Sequence, residues 1–162
     1  MDKSNVPLLR NLQNVKEGQE GEVYFKLFNQ YIKLYSWNGA GIGYIEKCAG
    51  YLNSLSDEII DRLCEASIRY CNGFCDDVGE ELKEFMNIRD VLKLIQPNGL
   101  CIPKPRDENT PVIDLELNCD WEEEHGMQWI IRNDRVLYVG SYDGVNPWED
   151  FTEEDEWNYA QI

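Results

Sequence analysis

The chain of 162 residues has a single histidine, His125, and too few bases to balance its acids. With one histidine, the two-histidine HExxH zinc site is excluded. No run of about 18 apolar residues occurs, so no transmembrane helix is expected. The opening residues, MDKSNVPLLRNLQNVKEGQEGE, lack the apolar stretch of a secretory signal, and the expected location is cytoplasmic. Neither an internal repeat nor a low-complexity linker is present. The cysteines, Cys48, Cys64, Cys71, Cys75, Cys101 and Cys119, include no CxxC pair. Zinc sites usually need such spacing and a fourth ligand. Cys64, Cys71 and Cys75 recur at helical spacing and are expected as reduced, buried thiols. No metal or cofactor is expected, and the acidic runs lack the spaced pattern of a calcium-binding loop.

What is present suffices for a core. Apolar residues make up 43% and aromatics 12%, too much for a disordered chain, and the length suits one domain over 1–162. EVYFKLF (22–28) and YIKLYSW (31–37) alternate as half-buried strands do, with Asn29-Gln30 as the hairpin turn. Residues 1–20 are set aside as a flexible N-terminal arm. A short helix is expected over 45–55. A longer one follows, capped by Ser56, with Asp57 and Glu58 in its first turn and a stripe of Ile60, Cys64, Ser67, Ile68, Cys71 and Cys75. A third helix is expected over 80–95, burying Leu82, Phe85, Met86, Val91, Leu92 and Ile95, and ended by a Gln96-Pro97-Asn98-Gly99 turn. LCIPKP suits an edge strand or a loop crossing. PVIDLELNCD (111–120), MQWIIRN (127–133) and RVLYVGS (135–141) read as strands, the last two joined at Asn133-Asp134. The expected class is α+β: an N-terminal strand hairpin, central helices and a C-terminal antiparallel sheet. Residues 146–162 form an acidic tail or a short helix, with Thr152 to Asp155 resembling a capping box.

The charge is unevenly placed. Residues 1–106 hold 15 acids and 13 bases; residues 107–162 hold 16 acids and only Arg132 and Arg135 as bases. Of the net −16, the last third therefore carries −14. Such a surface repels nucleic acid and anionic membranes, so neither is expected as a direct partner; it attracts basic proteins and speeds their capture. Solubility alone does not explain why the acids are concentrated in one part of the chain.

The stretch CDWEEEHG (119–126) joins acids to the lone histidine. Consecutive glutamates on a strand or turn point in different directions, which argues against a converged catalytic pair. The structural reading gives Gly126 a positive φ, lets Asp120 bond backbone amides, anchors Trp121 in the core and makes His125 a hydrogen-bonded histidine. Glu122, Glu123 and Glu124 then project into solvent.

The signature CDWEEEHG, followed by a strand and YVGSYDG, resembles a family of uncharacterised bacterial domains that carry Cys-Asp-Trp-Glu-x-Glu-His-Gly. The upstream YLNSLSDEIIDRLCEASIRYC is also similar, and the resemblance spans roughly residues 20–145. Such domains often lie beside polymorphic toxin systems, which implies an immunity-type protein, and the resemblance carries over no catalytic residue. The partner expected on this reading is a basic toxin domain. It would be bound by Glu122, Glu123, Glu124, Asp143, Glu149, Asp150, Glu153, Glu154, Asp155 and Glu156, with Trp148 as an anchor beside Trp157 and Tyr159. The alternatives are a nucleic-acid mimic that inhibits a DNA- or RNA-binding enzyme, and an enzyme using His125.

Overall fold

Alternation along Gln30–Trp37 sends Ile32, Leu34 and Ser36 inward and leaves Lys33, Tyr35 and Trp37 exposed, so one sheet face is buried here and the other is open. The computed structural model describes residues 6–152, 155 and 157–161. Its elements are β1 (Leu9–Val15), β2 (Gly18–Phe25), β3 (Gln30–Trp37), α1 (Ile42–Leu52), α2 (Asp57–Val78), a 3-10 helix (Ile88–Leu94), β4 (Ile95–Ile102), β5 (Val112–Cys119), β6 (Glu122–Arg132) and β7 (Arg135–Gly140). All seven strands form one sheet in chain order. Neighbours are antiparallel except β3 and β4, which run parallel. A parallel pair needs a crossover, and the helices supply it. The α+β class is as expected, but the N-terminal hairpin and the C-terminal strands share one sheet.

The helices cover one face. On α2, the Ser56 hydroxyl accepts from the Ile59 amide, and Gly79 closes the far end at φ 76°. Its buried stripe is Ile59, Leu63, Cys64, Ala66, Ser67, Tyr70, Cys71 and Cys75, with Ile60 and Ile68 only partly covered. The Trp129 indole donates to Ser67 Oγ at 3.0 Å, which ties α2 to β6 in the core. All six cysteines are free thiols; five are buried and Cys101 is partly so.

Several expectations are corrected. Residues 9–20, expected in a flexible arm, form β1 and the start of β2. The predicted strand 22–28 ends at Phe25 in a 3-10 turn (Lys26–Phe28), with Asn29 left-handed at φ 54°. The helix expected over 80–95 is reduced to the 3-10 helix Ile88–Leu94, in which Val91 is buried. Residues 80–87 are irregular, Leu82 and Met86 are exposed, and Ile95 opens β4. The Asn72 side chain accepts from the Lys83 amide (2.9 Å) and donates to the Lys83 carbonyl (3.2 Å), bonds that the segment would otherwise make within a helix. The Gln96 to Gly99 turn lies inside β4, where an irregularity between Pro97 and Gly99 absorbs the proline. LCIPKP contributes to this same strand, which is central rather than at an edge.

Both sheet edges are modified. β1 carries an irregularity between Arg10 and Gln13, with Asn11 left-handed at φ 57°. At β7 the tail takes over: the Tyr159 amide donates to the Val139 carbonyl at 2.8 Å, and Asn158 bonds the Val139 amide and the Leu137 carbonyl. The described residues of 151–161 contain no helix; Glu153, Glu154 and Glu156 lie outside the described residues.

Candidate functional site

The β5–β6 corner shows what the acidic stretch does. Asp120 and Trp121 form the turn, and Trp121 is buried edge-on against Tyr70, with ring centroids 5.6 Å apart. The pairing then slips: Leu117 faces Met127, yet Cys119 faces Glu122. The intervening β6 residues 123–126 therefore bulge out of the ladder opposite Asn118 alone. Gly126 closes the bulge at φ 67°, where a Cβ would stand 2.5 Å from the Leu117 carbonyl oxygen. The Tyr70 hydroxyl donates to the Gly126 carbonyl at 2.8 Å, so α2 holds the bulge in place.

Glu122 does not project into solvent, a correction to the expectation. Its side chain is 14% exposed and folds into the bulge. Oε1 accepts from the amides of Glu124 (3.0 Å) and His125 (3.4 Å), and Oε2 meets His125 Nδ1 at 3.1 Å. A carboxylate only accepts, so this contact places the imidazole proton on Nδ1. Burial pushes the Glu122 carboxyl up, but the imidazole and the two amides outweigh it and hold the group below its ordinary value. His125 is hydrogen-bonded, as expected, but 62% of its side chain is exposed. The bond to Glu122, then the charges of Glu122, Glu124 and Asp143, raise its pKa. Asp120 does not cap the corner with its side chain: its carboxylate accepts from Gln96 Nε2 at 3.2 Å, while its amide donates to the Leu94 carbonyl.

Beside this bulge lies a cleft of about 330 Å³. α2 contributes Tyr70, Phe74 and Asp77; β6 contributes Glu122 and His125. The segment after β7 adds Ser141 and Asp143, and the tail adds Trp157 and Tyr159. Tyr159 stacks near Tyr70 at 5.4 Å, its carbonyl accepts from Arg69, and its hydroxyl lies over Gly73. A Cβ at Gly73 would meet that hydroxyl at 2.7 Å, so this mid-helix glycine makes room for the tail. Trp157 stays 60% exposed at the cleft. The carboxylates of Asp77 and Asp143 have no hydrogen-bond or ion-pair partner among the described residues. Asp77 comes from α2, outside the acidic third, and composition by segment missed it. Asp76 and Asp77 stand in the last turn of α2, which has no basic residue to offset them.

The other expected contact residues are dispersed. Asp143 is exposed at the cleft, while Glu123 and Glu124 are exposed on the bulge and do not line it. Asp155 is exposed in the tail and accepts from the Trp157 amide. Trp148 is half-buried against the protein's own core, with the Arg132 guanidinium 5.6 Å from its ring centre. Arg132 also donates to the carbonyls of Pro147 and Glu149. Glu149 and Asp150 are exposed at that end of β6, and Gly126 to Arg132 alone spans about 20 Å of strand. Glu149 and Asp150 thus lie apart from the acids of the cleft.

A second hollow is lined by Phe25, Lys26, Leu52, Ile60 and Arg89, and there Arg89 is paired with Asp57 and Asp61. No group of three His, Cys, Asp or Glu among the described residues is arranged to hold a metal ion. No helix among them is long and apolar enough to cross a membrane.

Fold and cleft together define a small α+β protein with a mixed seven-stranded sheet and an acidic, aromatic-walled cleft at one end. The chain belongs to the family described as a domain of unknown function (DUF6985), whose model matches residues 9–147. That span includes Asp77, the β6 bulge and Asp143 but stops short of Trp157 and Tyr159. Searches of curated proteins and of solved structures return no match.

Proposed function

We propose that this is an immunity-type protein that binds a basic toxin domain through its acidic surface and blocks that domain's action. The observation that carries the reading is the cleft, where acids from α2, β6 and the segment after β7 converge beside an exposed indole. Acids in a concave, low-dielectric surface focus the field and speed capture of a basic partner. An exposed aromatic within a pocket slows its release. Trp157 takes the anchor role first assigned to Trp148, whose ring packs on the core. A nucleic-acid mimic would be better served by acids laid out as an extended row than by acids gathered at a cleft.

The enzyme reading has one observation in its favour. The Glu122–His125 pair orients an imidazole as hydrolytic triads do, and Ser141 lines the same cleft. The surrounding charge opposes it: Asp77, Asp143 and the carbonyl end of α2 would destabilise a developing oxyanion.

The test is suppression of toxicity. The protein encoded next to this one is expressed in a bacterial host alone, with the wild-type chain, and with an Asp77→Lys/Asp143→Lys variant. Wild type should restore growth, and the variant should associate at least about 10-fold more slowly at low salt, with the gap closing at high salt. A neighbour that is not toxic and does not bind would sink the proposal. Ser141→Ala with an unchanged phenotype would remove the enzyme reading.

A further inference from the structure

The cleft has chemistry more specific than a negative patch. It joins carboxylates of two separate elements, Asp77 on α2 and Asp143 after β7, to the largely exposed Trp157. Neither carboxylate has a partner among the described residues. The end of α2 that reaches the cleft is its carbonyl end, which adds partial negative charge. His125 lies in the same cleft, with its Nδ1 held by Glu122 at 3.1 Å. Glu122 is occupied by the bulge amides and the imidazole, so Asp77 and Asp143 are the groups left to receive a ligand.

We infer that this cleft receives an arginine side chain of the basic partner, with the guanidinium on the Trp157 indole and its N–H groups directed at Asp77 and Asp143. A planar, weakly hydrated guanidinium stacks on an indole and bonds carboxylates through fixed donors. A lysine ammonium is compact, strongly hydrated and poorly matched to a flat wall. The inference rests on the reading above that the partner is a basic protein, and it adds the residue type recognised.

The experiment uses the full chain labelled with 15N at the tryptophan indoles, with the Trp157 signal assigned through Trp157→Phe. The probes are acetyl-Gly-Arg-Gly-amide, its lysine counterpart and its neutral citrulline counterpart. The arginine peptide should shift the Trp157 signal saturably, on the order of millimolar. The lysine peptide should bind at least about 3-fold more weakly, and citrulline should give no saturable shift. In Asp77→Asn/Asp143→Asn the arginine peptide should bind about 10-fold more weakly, with the Trp121 and Trp129 signals unmoved as evidence of an intact fold. Equal binding of citrulline or lysine, a double variant that binds as wild type, or no shift at Trp157 would each overturn the inference. If the arginine peptide fails while the neighbouring protein still binds with salt-sensitive rates, only the cleft assignment falls. If the peptide binds and the neighbour does not, the site stands and the toxin reading falls.

Discussion

Replacing Asp114 with asparagine should remove a large part of the protein's pH-dependent stability. Asp114 lies on β5, on the sheet face turned away from the helices, with Glu116, Cys101 and Tyr142 as its ionisable neighbours. Its carboxylate accepts from Gln128 Nε2 at 2.8 Å, and Gln128 holds Val145 by both its amide and its carbonyl. Burial pushes the Asp114 carboxyl from its ordinary 3.8 up to about 7; Glu116 pushes the same way, and the Gln128 bond opposes. The unfolded chain releases this proton near 3.8, and the folded protein keeps it until about 7. Between those values the folded state binds more protons, so stability falls as pH rises and then levels off. Each pH unit in that window is worth about 1.4 kcal/mol, so the loss reaches up to about 4 kcal/mol. Asparagine keeps the acceptor for Gln128 but has no proton to lose. Urea denaturation of both proteins from pH 3.5 to 8 tests this by difference, because Glu116 and the other acids are common to both. The variant should gain on wild type steadily from pH 4 to 7. A difference constant within about 0.5 kcal/mol over that range would refute the buried, neutral carboxyl.

Glu122→Ala should destabilise the fold by about 2 kcal/mol, because it strips the bulge amides of their acceptor, whereas His125→Ala should have a small effect, the ring being exposed; urea titration separates the two. The His125 ring protons should titrate above 6.5, and Glu122→Gln should lower that midpoint. Since folding raises the His125 pKa and lowers that of Glu122, the pair's stabilisation is present between 4.5 and 6.5, is lost as pH rises through the folded value of His125, and is lost again as pH falls through that of Glu122. Asp77→Asn should stabilise the fold by about 0.3–1 kcal/mol by relieving the end of α2, while weakening binding of an arginine peptide; loss of stability would refute the dipole argument. Gly73→Ala, which stabilises an ordinary helix interior by about 1 kcal/mol, should here destabilise and unseat the tail, raising proteolysis beyond residue 150. Thiol reagents should label native Cys101 at most, and slowly, because burial pushes its thiol up to about 12.

Elements governed by local chemistry were legible in the sequence. Asn133 and Asp134 both take positive φ, 54° and 57°, as a tight hairpin requires, and the β6–β7 turn falls there. Ser56 caps α2, and Gly126 takes the positive φ anticipated for it. Elements governed by distant partners were not legible. Apolar residues over 80–95 keep helical spacing, yet Asn72 captures the backbone of Lys83, and Ile95 is drawn into a strand beside β5. β1 has no alternating apolar run, only polar residues around Leu9, Leu12 and Val15, and it exists because β2 pairs with it. The cleft is the extreme case. Net charge by segment pointed to the last third, but the sheet sends Glu149 and Asp150 to one end and brings Asp143 to Asp77 at the other. Gly73, in the interior of α2, marks the seat of Tyr159.

The same end of the molecule is where local rules are broken. Asp76 and Asp77 sit at the negative end of α2, each worth roughly 0.3–1 kcal/mol in the wrong direction. The neighbouring strand carries a four-residue bulge, held by one carboxylate and one glycine. An indole stands in solvent within reach of a core that accommodates Trp121 and Trp129. Taken singly, each is a small loss of stability; grouped around one cleft, they share the property that a bound cation would relieve or use them. A guanidinium at this cleft would offset Asp77, Asp143 and the helix carbonyls, and it would cover the exposed ring. Sequences otherwise consistent with their fold break local rules mainly where function requires it. That concentration favours the cleft over Glu149 and Asp150, which are equally acidic but lie beside Arg132 on a segment that satisfies its own backbone.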